Sequence, residues 1–425
     1  MSIFSIIFNI FGSFMFVADL ILDLVLVRTY WEKTPCHADS SIQTDMVFNS
    51  TNPRNELEVE LNYKLYAVIC LVISLVPTYI QSLCSFYIFW RMEKANYNPQ
   101  TYCRNMVRLF FVHVIPVHFM YRSAICIIYS CKFYDYEDPV KKKEYWQRYV
   151  AAKQDLVLLK VIDACLECAP QLMLQIYVFR LEQHQNCFDQ HAPQLIASFI
   201  SVQAFQKFKI FLSWFSMTQN FAFYPNDQRL DGNRYRDGIE GTCNFAFVLI
   251  LNFFWHGFTI GVRVSLFSFL ISIHPVFTFS FLAGHILVFF VFIKWLFKTD
   301  YIDRTIKPTA LQGLFQVIYE FLSAMVLTIT WVNLFRRDRP DSVLTHQKRM
   351  IMFYVIITLE NLILLMIWYA HRTTFPPVTV IIAGQSVLVD YDQIMLWFLP
   401  TSYVYGILMM VLYYSYCHPK MLTGS

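Results

Sequence analysis

Long apolar runs alternate with short polar breaks along almost the whole chain. Eight runs reach the length of a bilayer-crossing helix, about 20 residues. They cover 5–27, 65–90, 156–182, 194–220, 243–270, 275–297, 350–371 and 393–417. Two further runs are interrupted: 105–131 holds His113, Pro116, His118 and Arg122, and 310–335 holds Gly313 and Glu320. Irregular backbone at membrane depth is tolerated where protein covers it, so these read as re-entrant, partly inserted helical segments. The order span, span, interrupted segment, span, span occurs twice. The pattern predicts an all-α polytopic membrane protein, a single domain over 1–425 built of two parallel pseudo-repeats, about 1–224 and about 240–420.

The run 156–182 differs from the others. It is apolar enough to span, yet it carries Asp163, Glu167, Gln171 and Gln175, each four residues after the last. A step of four turns an α-helix by about 40°, so the four groups form one slowly drifting stripe about 18 Å long. Pro170 lies inside the stripe and is expected to kink the helix and free a carbonyl beside it. Pro77 is expected to do the same in the second span, one turn before Gln81. Acidic groups at membrane depth are costly and usually face protein or water.

Composition narrows the class. Of 425 residues 56% are hydrophobic, 18% aromatic and only 15% charged, and the mean hydropathy is +0.42. That profile excludes a soluble enzyme of ordinary composition. The net charge of +4 is small, and the basic residues fall in short loops. They orient helices and do not form a nucleic-acid patch. With a cytosolic N-terminus, 23 Lys and Arg lie in inner loops against six on the outside. The bias is positive-inside and puts both termini in the cytosol. Arg28 and Lys33, at the outer end of the first span, run against it. The first span lacks the basic start and the cleavage site of a signal peptide and is expected to be retained. Asn49-Ser50-Thr51 is the chain's one N-glycosylation sequon, in the 28–64 loop that the charge bias places outside. Cys36 and Cys187 occupy the only outer loops that contain cysteine. Either a disulfide or two thiols fits them.

Other charged groups lie at depth. Asp19 and Asp23, four apart on the first span, share one face, and Glu360 occupies the span that corresponds to that of Glu167. The cations available are Arg122, Lys160, Lys207, Lys209 and Arg263. Two compatible readings follow: ion pairs that hold helices together, or a polar track that a charged group can follow. No second polar stripe of comparable length stands out, which argues against a solute pore. Gly257-x-x-x-Gly261 reads as a packing face. His113 and His118, five apart, do not share a helix face, and no metal site is expected there. The basic, aromatic loop 132–153 reads as ordinary inner-surface anchoring. No metalloprotease, Walker or nucleophile-elbow motif is present, so neither enzyme chemistry nor a cofactor is expected.

The segments ADLILDL, LVPTYIQ, ACLECAPQLMLQIYV, GVRV, LENLILLMIWY and YYSYCHP, spread over about 10–420, resemble the XK-related family. Members include the Kell-associated XK protein and the nematode cell-death scramblase. Glu167 to Gln175 is the most specific part of the likeness. The resemblance implies eight spans, two partly inserted helices and two pseudo-repeats. It implies a phospholipid scramblase that needs neither ATP nor calcium and exposes phosphatidylserine in apoptosis. The alternative within the same family is a non-scrambling membrane adaptor, or a transporter-like protein, whose buried ionic network is structural. Carried over, Asp19 and Asp23 match the first-helix acidic pair, Asp163 and Glu167 the pair before P-Q-L, and Arg263 the fifth-span arginine. The fourth-span cation is Lys207 or Lys209. The implied partners are membrane phospholipids, a single-span accessory glycoprotein or a lipid-transfer protein, and the implied site is the plasma membrane. Caspase-activated members carry their cleavage site in a terminal extension, which neither end of this sequence offers. Internally, Asp338-Arg339-Pro340-Asp341 would be cut after Asp341, but it reads more simply as a solvated charged loop.

Overall fold

A computed structural model of the chain describes residues 3–32, 53–95, 118–185, 202–228, 245–297, 310–331, 343–371, 378–382, 385–389 and 391–417, with Val107, Phe110, Phe111 and His113. Asn49, Cys36, Cys187 and Asp341 lie outside the described residues.

Helices α1 (Ile3–Glu32) and α2 (Pro53–Ala95) precede α3 (His118–Asp135) and α4 (Pro139–Asp163). A π turn over Ala164–Cys168 joins α4 to α5 (Ala169–Gln185), and α6 (Val202–Gln228) follows. After it α7 (Phe245–Ile273), α8 (Pro275–Phe297), α9 (Ala310–Ile329), α10 (Val343–His371) and α11 (Tyr391–Leu412) run in turn. A second π turn, Tyr413–Cys417, closes α11. Between α10 and α11 sits a feature that the hydrophobic pattern left unassigned. Two strands, β1 (Val378–Ile382) and β2 (Gln385–Val389), pair antiparallel, with Val380 in register with Val387.

Among the described residues five helical segments are long and apolar enough to cross a membrane: Tyr63–Tyr87, Phe247–Ile273, Pro275–Lys294, Arg349–His371 and Asp392–Tyr416. The protein is thus a helical, multi-pass membrane protein. The helices over the other three expected spans, α1, α4–α5 and α6, carry Asp19, Asp23, Asp163, Glu167 and Lys209, all buried. The expected inner loop 132–153 is also more ordered than the pattern suggests. It is the end of α3 and the start of α4, where Asp138 caps by accepting from the Val140 N–H at 3.0 Å and Pro139 fills the first helical position.

Helix α7 is the axis of the bundle and packs on α11, α6, α5, α10 and α8. One apolar core joins these helices: Val161, Ala164 and Leu172 meet Met217 and Phe221 of α6, Ile260 and Val264 of α7, and Ile329 of α9. The glycine pair of α7 is a seat for one side chain. A Cβ at Gly257 would lie 3.0 Å from Trp214 Cζ2, and one at Gly261 2.9 Å from Trp214 Nε1. The indole N–H donates to the Gly257 carbonyl at 3.0 Å. Only a residue without a side chain lets the indole lie this close to the backbone. Outward faces of α8, α10 and α11 expose Leu287, Val291, Ile363, Met366, Trp397 and Val404. Such faces suit lipid, which is as apolar as they are.

The interrupted segments are tied down by side chains that reach backbone. Helix α9 ends at Ile329 inside the protein, and the Arg263 guanidinium donates to the Thr328 carbonyl, one of the acceptors a helix end leaves open. Before α3, the Ser82 hydroxyl donates to the His113 carbonyl, and Arg122 donates to the Ser85 carbonyl at 2.8 Å. Arg122 also pairs with Asp155 of α4 at 3.1 Å.

Candidate functional site

Two buried polar knots stand out among the described residues, one on α1, α2, α5 and α6 and the other on α7, α8 and α10. The first is built on the π turn. Pro170 has no N–H to give to the fourth carbonyl before it, and its ring crowds that carbonyl. The helix widens just upstream, and Ala169 N–H bonds Ala164 O, five residues back. This surplus residue changes the geometry of the stripe. Over twelve straight α-helical residues the stripe would drift by about 120°; absorbing one residue in the bulge cuts that to about 20°. Asp163, Glu167, Gln171 and Gln175 accordingly all point inward, with exposures of 7%, 3%, 1% and 0%.

They face α2, which runs antiparallel beside them. Gln81 Nε2 donates to Asp163 Oδ1 at 2.7 Å. The Thr78 hydroxyl lies 3.4 Å from Glu167 Oε2. Gln171 Nε2 lies 2.9 Å from Cys70 Sγ and donates to Asp23 Oδ1 of α1 at 2.9 Å. Ser74 donates to Asp23 Oδ2 at 3.1 Å. Helix α2 therefore does present a second polar stripe, Cys70, Ser74, Thr78 and Gln81, which the sequence reading missed. Its signal was present as small hydroxyls and an amide at helical spacing around Pro77. Pro77 itself lies within a continuous α2.

Among the described residues Lys209 is the cation paired with the knot. Lys209 of α6 is fully buried; its ammonium contacts the Asp19 carboxylate and lies 2.7 Å from Asp23 Oδ1. Lys207 instead is exposed, with its ammonium 5.7 Å from the centre of the Phe179 ring. Of the two candidate fourth-span lysines, Lys209 is the one in contact with the acidic pair. Carboxylate oxygens of Asp19, Asp23 and Glu167 lie within 4.8 Å of one another. A small crevice between α1, α3, α4 and α6 leads to the knot. It is lined by Asp19, Asp163, Ser216, Gln219 and Asn220, with Phe16 and Phe119 beside them. The Lys160 ammonium sits 5.5 Å from the centre of the Phe119 ring.

The second knot has a different charge balance. Arg263 of α7 bonds Glu360 Oε2 of α10 at 2.9 Å and Asn361 Oδ1 at 3.0 Å. The second Glu360 oxygen accepts from His285 Nε2 of α8 at 2.8 Å. Arg263 and Glu360 thus pair one to one, and the same guanidinium caps α9. His285 and Asn361 were not singled out from sequence; a lone histidine in a phenylalanine-rich helix carries no periodic signal. At one end of the bundle Arg180 of α5 pairs with Asp392 of α11 at 2.8 Å.

Such an arrangement binds and orients charge. Asp19, Asp23, Asp163, Glu167, Gln171 and Lys209 come together in one knot, and Arg263 and Glu360 in the other. Gln175 lies a turn beyond Gln171, buried in the same helix, and neither of its amide atoms has a hydrogen-bond partner among the described residues. A family model described as XK-related protein matches residues 60–419.

Proposed function

The chain belongs to the XK-related family, and on that premise we propose that it moves phospholipids, phosphatidylserine among them, between bilayer leaflets without ATP or a cofactor. One observation supports this most: a column of buried carboxylates and amides between α1, α2 and α5, reached through a polar crevice. A charged headgroup at the bilayer centre costs several kcal/mol. Fixed polar side chains beside its route replace part of its hydration while the acyl chains stay in hydrocarbon. The matching setting is a plasma membrane, with apoptotic exposure of phosphatidylserine as one context. Phospholipid is the partner, and a single-span accessory glycoprotein or a lipid-transfer protein would join it.

The alternative is an adaptor whose ionic knots only hold helices. The second knot favours it in that repeat, because Arg263 and Glu360 are matched and His285 and Asn361 complete their hydrogen bonds.

Reconstitution separates the two. Purified protein is placed in vesicles with a headgroup-labelled fluorescent lipid, and a membrane-impermeant quencher is added. Scrambling removes well over half of the signal, because inner-leaflet lipid reaches the quencher. Loss of only the outer-leaflet half, under every activating condition, overturns the reading. Asp163→Asn and Glu167→Gln then locate the path. If both variants fold and scramble at the unmodified rate, the column is not the route.

A further inference from the structure

Helices α3 and α4 pack side by side and meet at an elbow over residues 136–138, on the side that the charge bias places in the cytosol. Exposed apolar side chains that suit lipid continue along α3 as far as Ile128. Lys132 follows one turn later, where hydrocarbon gives way to headgroups. Tyr134 is exposed beside it, an aromatic residue of the kind that sits at headgroup level. Lys141 and Lys143 are exposed at the start of α4, and Lys142 is partly so.

The cations of this elbow are seated on rings. Tyr136 and Tyr145 stack with centroids 5.1 Å apart and planes 12° from parallel. The Lys141 ammonium lies 5.5 Å from the centre of the first ring, and the Lys132 ammonium 5.4 Å from that of the second. The Lys142 ammonium lies 5.2 Å from the centre of the Phe133 ring. A ring face attracts an ammonium yet leaves it N–H donors to offer elsewhere. Two nearby acids are already engaged: Asp138 caps α4, and Glu144 pairs with Arg148 at 2.6 Å. Among the described residues none of Lys132, Lys141, Lys142 and Lys143 pairs with a carboxylate. These four lysines stand against Asp135 and Glu137 alone. Positive-inside anchoring needs charge without order. Here the ammonium groups are gathered on one aromatic shelf.

We propose that the α3–α4 elbow is a docking site for a phosphoinositide of the cytosolic leaflet, a lipid whose headgroup carries several phosphates. One such headgroup meets several of the lysines at once, and the rings have already restricted the side chains it uses. Headgroups with a single phosphate meet them one at a time. The site stands apart from the buried column, and its test needs no transport assay.

Purified full-length protein in detergent is held on a sensor surface at about 0.15 M salt. It is titrated with short-chain phosphatidylinositol bisphosphate, short-chain phosphatidylserine and free inositol trisphosphate. The bisphosphate lipid binds saturably and at least about tenfold tighter than phosphatidylserine. The triple variant Lys141→Gln, Lys142→Gln, Lys143→Gln binds it about a hundredfold more weakly, and Lys132→Gln, on the other helix, about fivefold more weakly. Both variants keep the melting midpoint of the unmodified protein, because the altered side chains lie at the surface. Equal affinity for the two lipids overturns the proposal, since that is ordinary anchoring. So does unchanged binding in both variants, which would put the lipid on another basic loop. Inositol trisphosphate that binds as tightly as the lipid overturns it as well, because the ligand would then be a soluble phosphate.

Discussion

Removing the ammonium of Lys209 tests the first knot most directly. Lys209→Met keeps a long flexible side chain in the same space but withdraws the charge that lies 2.7 Å from Asp23. The carboxylates of Asp19, Asp23 and Glu167 are then left with oxygens within 4.8 Å of one another. At an effective dielectric constant of about 20, two unit charges at that separation repel by about 3.5 kcal/mol. Breaking a buried ion pair from one side costs about 3–5 kcal/mol, in the same range. Unfolding entropy of about 2.1 cal/mol/K per residue over 425 residues converts this to a fall of about 3–6 °C in the unfolding midpoint. Differential scanning fluorimetry of the purified protein in detergent reads that shift. Lys207→Met is the internal control: its ammonium is exposed, and its loss should cost less than about 0.5 kcal/mol. Adding Asp23→Asn to Lys209→Met should return part of the stability by removing one of the crowded charges. A Lys209→Met midpoint within 1 °C of the unmodified protein would refute the reasoning, as would an equal loss in Lys207→Met.

Three further outcomes follow. Glu360→Gln leaves the Arg263 charge without its carboxylate and should cost about 3 kcal/mol, the lower end of the range because the Glu360 side chain keeps 20% exposure; His285→Ala should cost less, about 1–2 kcal/mol, by the same melting assay. Gly261→Ala pushes a methyl to 2.9 Å from Trp214 Nε1 and should cost about 1–3 kcal/mol, whereas Gly284→Ala, with nothing within 4 Å, should be neutral or stabilising. Glycosidase treatment of protein from mammalian cells should lower its apparent mass, and Asn49→Gln should abolish that change, which places the 28–64 loop outside; an unshifted band argues that the sequon is unused.

Legibility in the sequence followed the strength of periodic signals. The helices of 65–90, 243–270, 275–297, 350–371 and 393–417 are uninterrupted apolar runs, and the structure holds apolar helices there. The stripe Asp163 to Gln175 was visible because charges are rare in such runs. Its straightness was not, since it depends on a π turn that no propensity scale reports. The partner stripe on α2 escaped notice because serine and threonine at 74 and 78 pass as neutral in an apolar helix. The choice between Lys207 and Lys209 needed the rotation of α6 about its axis, which packing sets. The strand pair of 378–382 and 385–389 was hidden for another reason: its apolar residues lie between two spans and read as part of a connecting loop.

The π turn makes the first knot a matter of counting as much as of chemistry. The helix upstream of it is phased to α2 by Asp163, and the helix downstream by Gln171, which also meets α1. One supernumerary residue between them sets the two halves in step. Deleting Ala164, Cys165, Leu166 or Cys168 would keep every carboxylate and amide in the chain, yet would swing the downstream half by about 100°. Exchanging those apolar residues for others of similar volume would leave the phase intact. The turn thus tolerates a change in its apolar residues but not in its length.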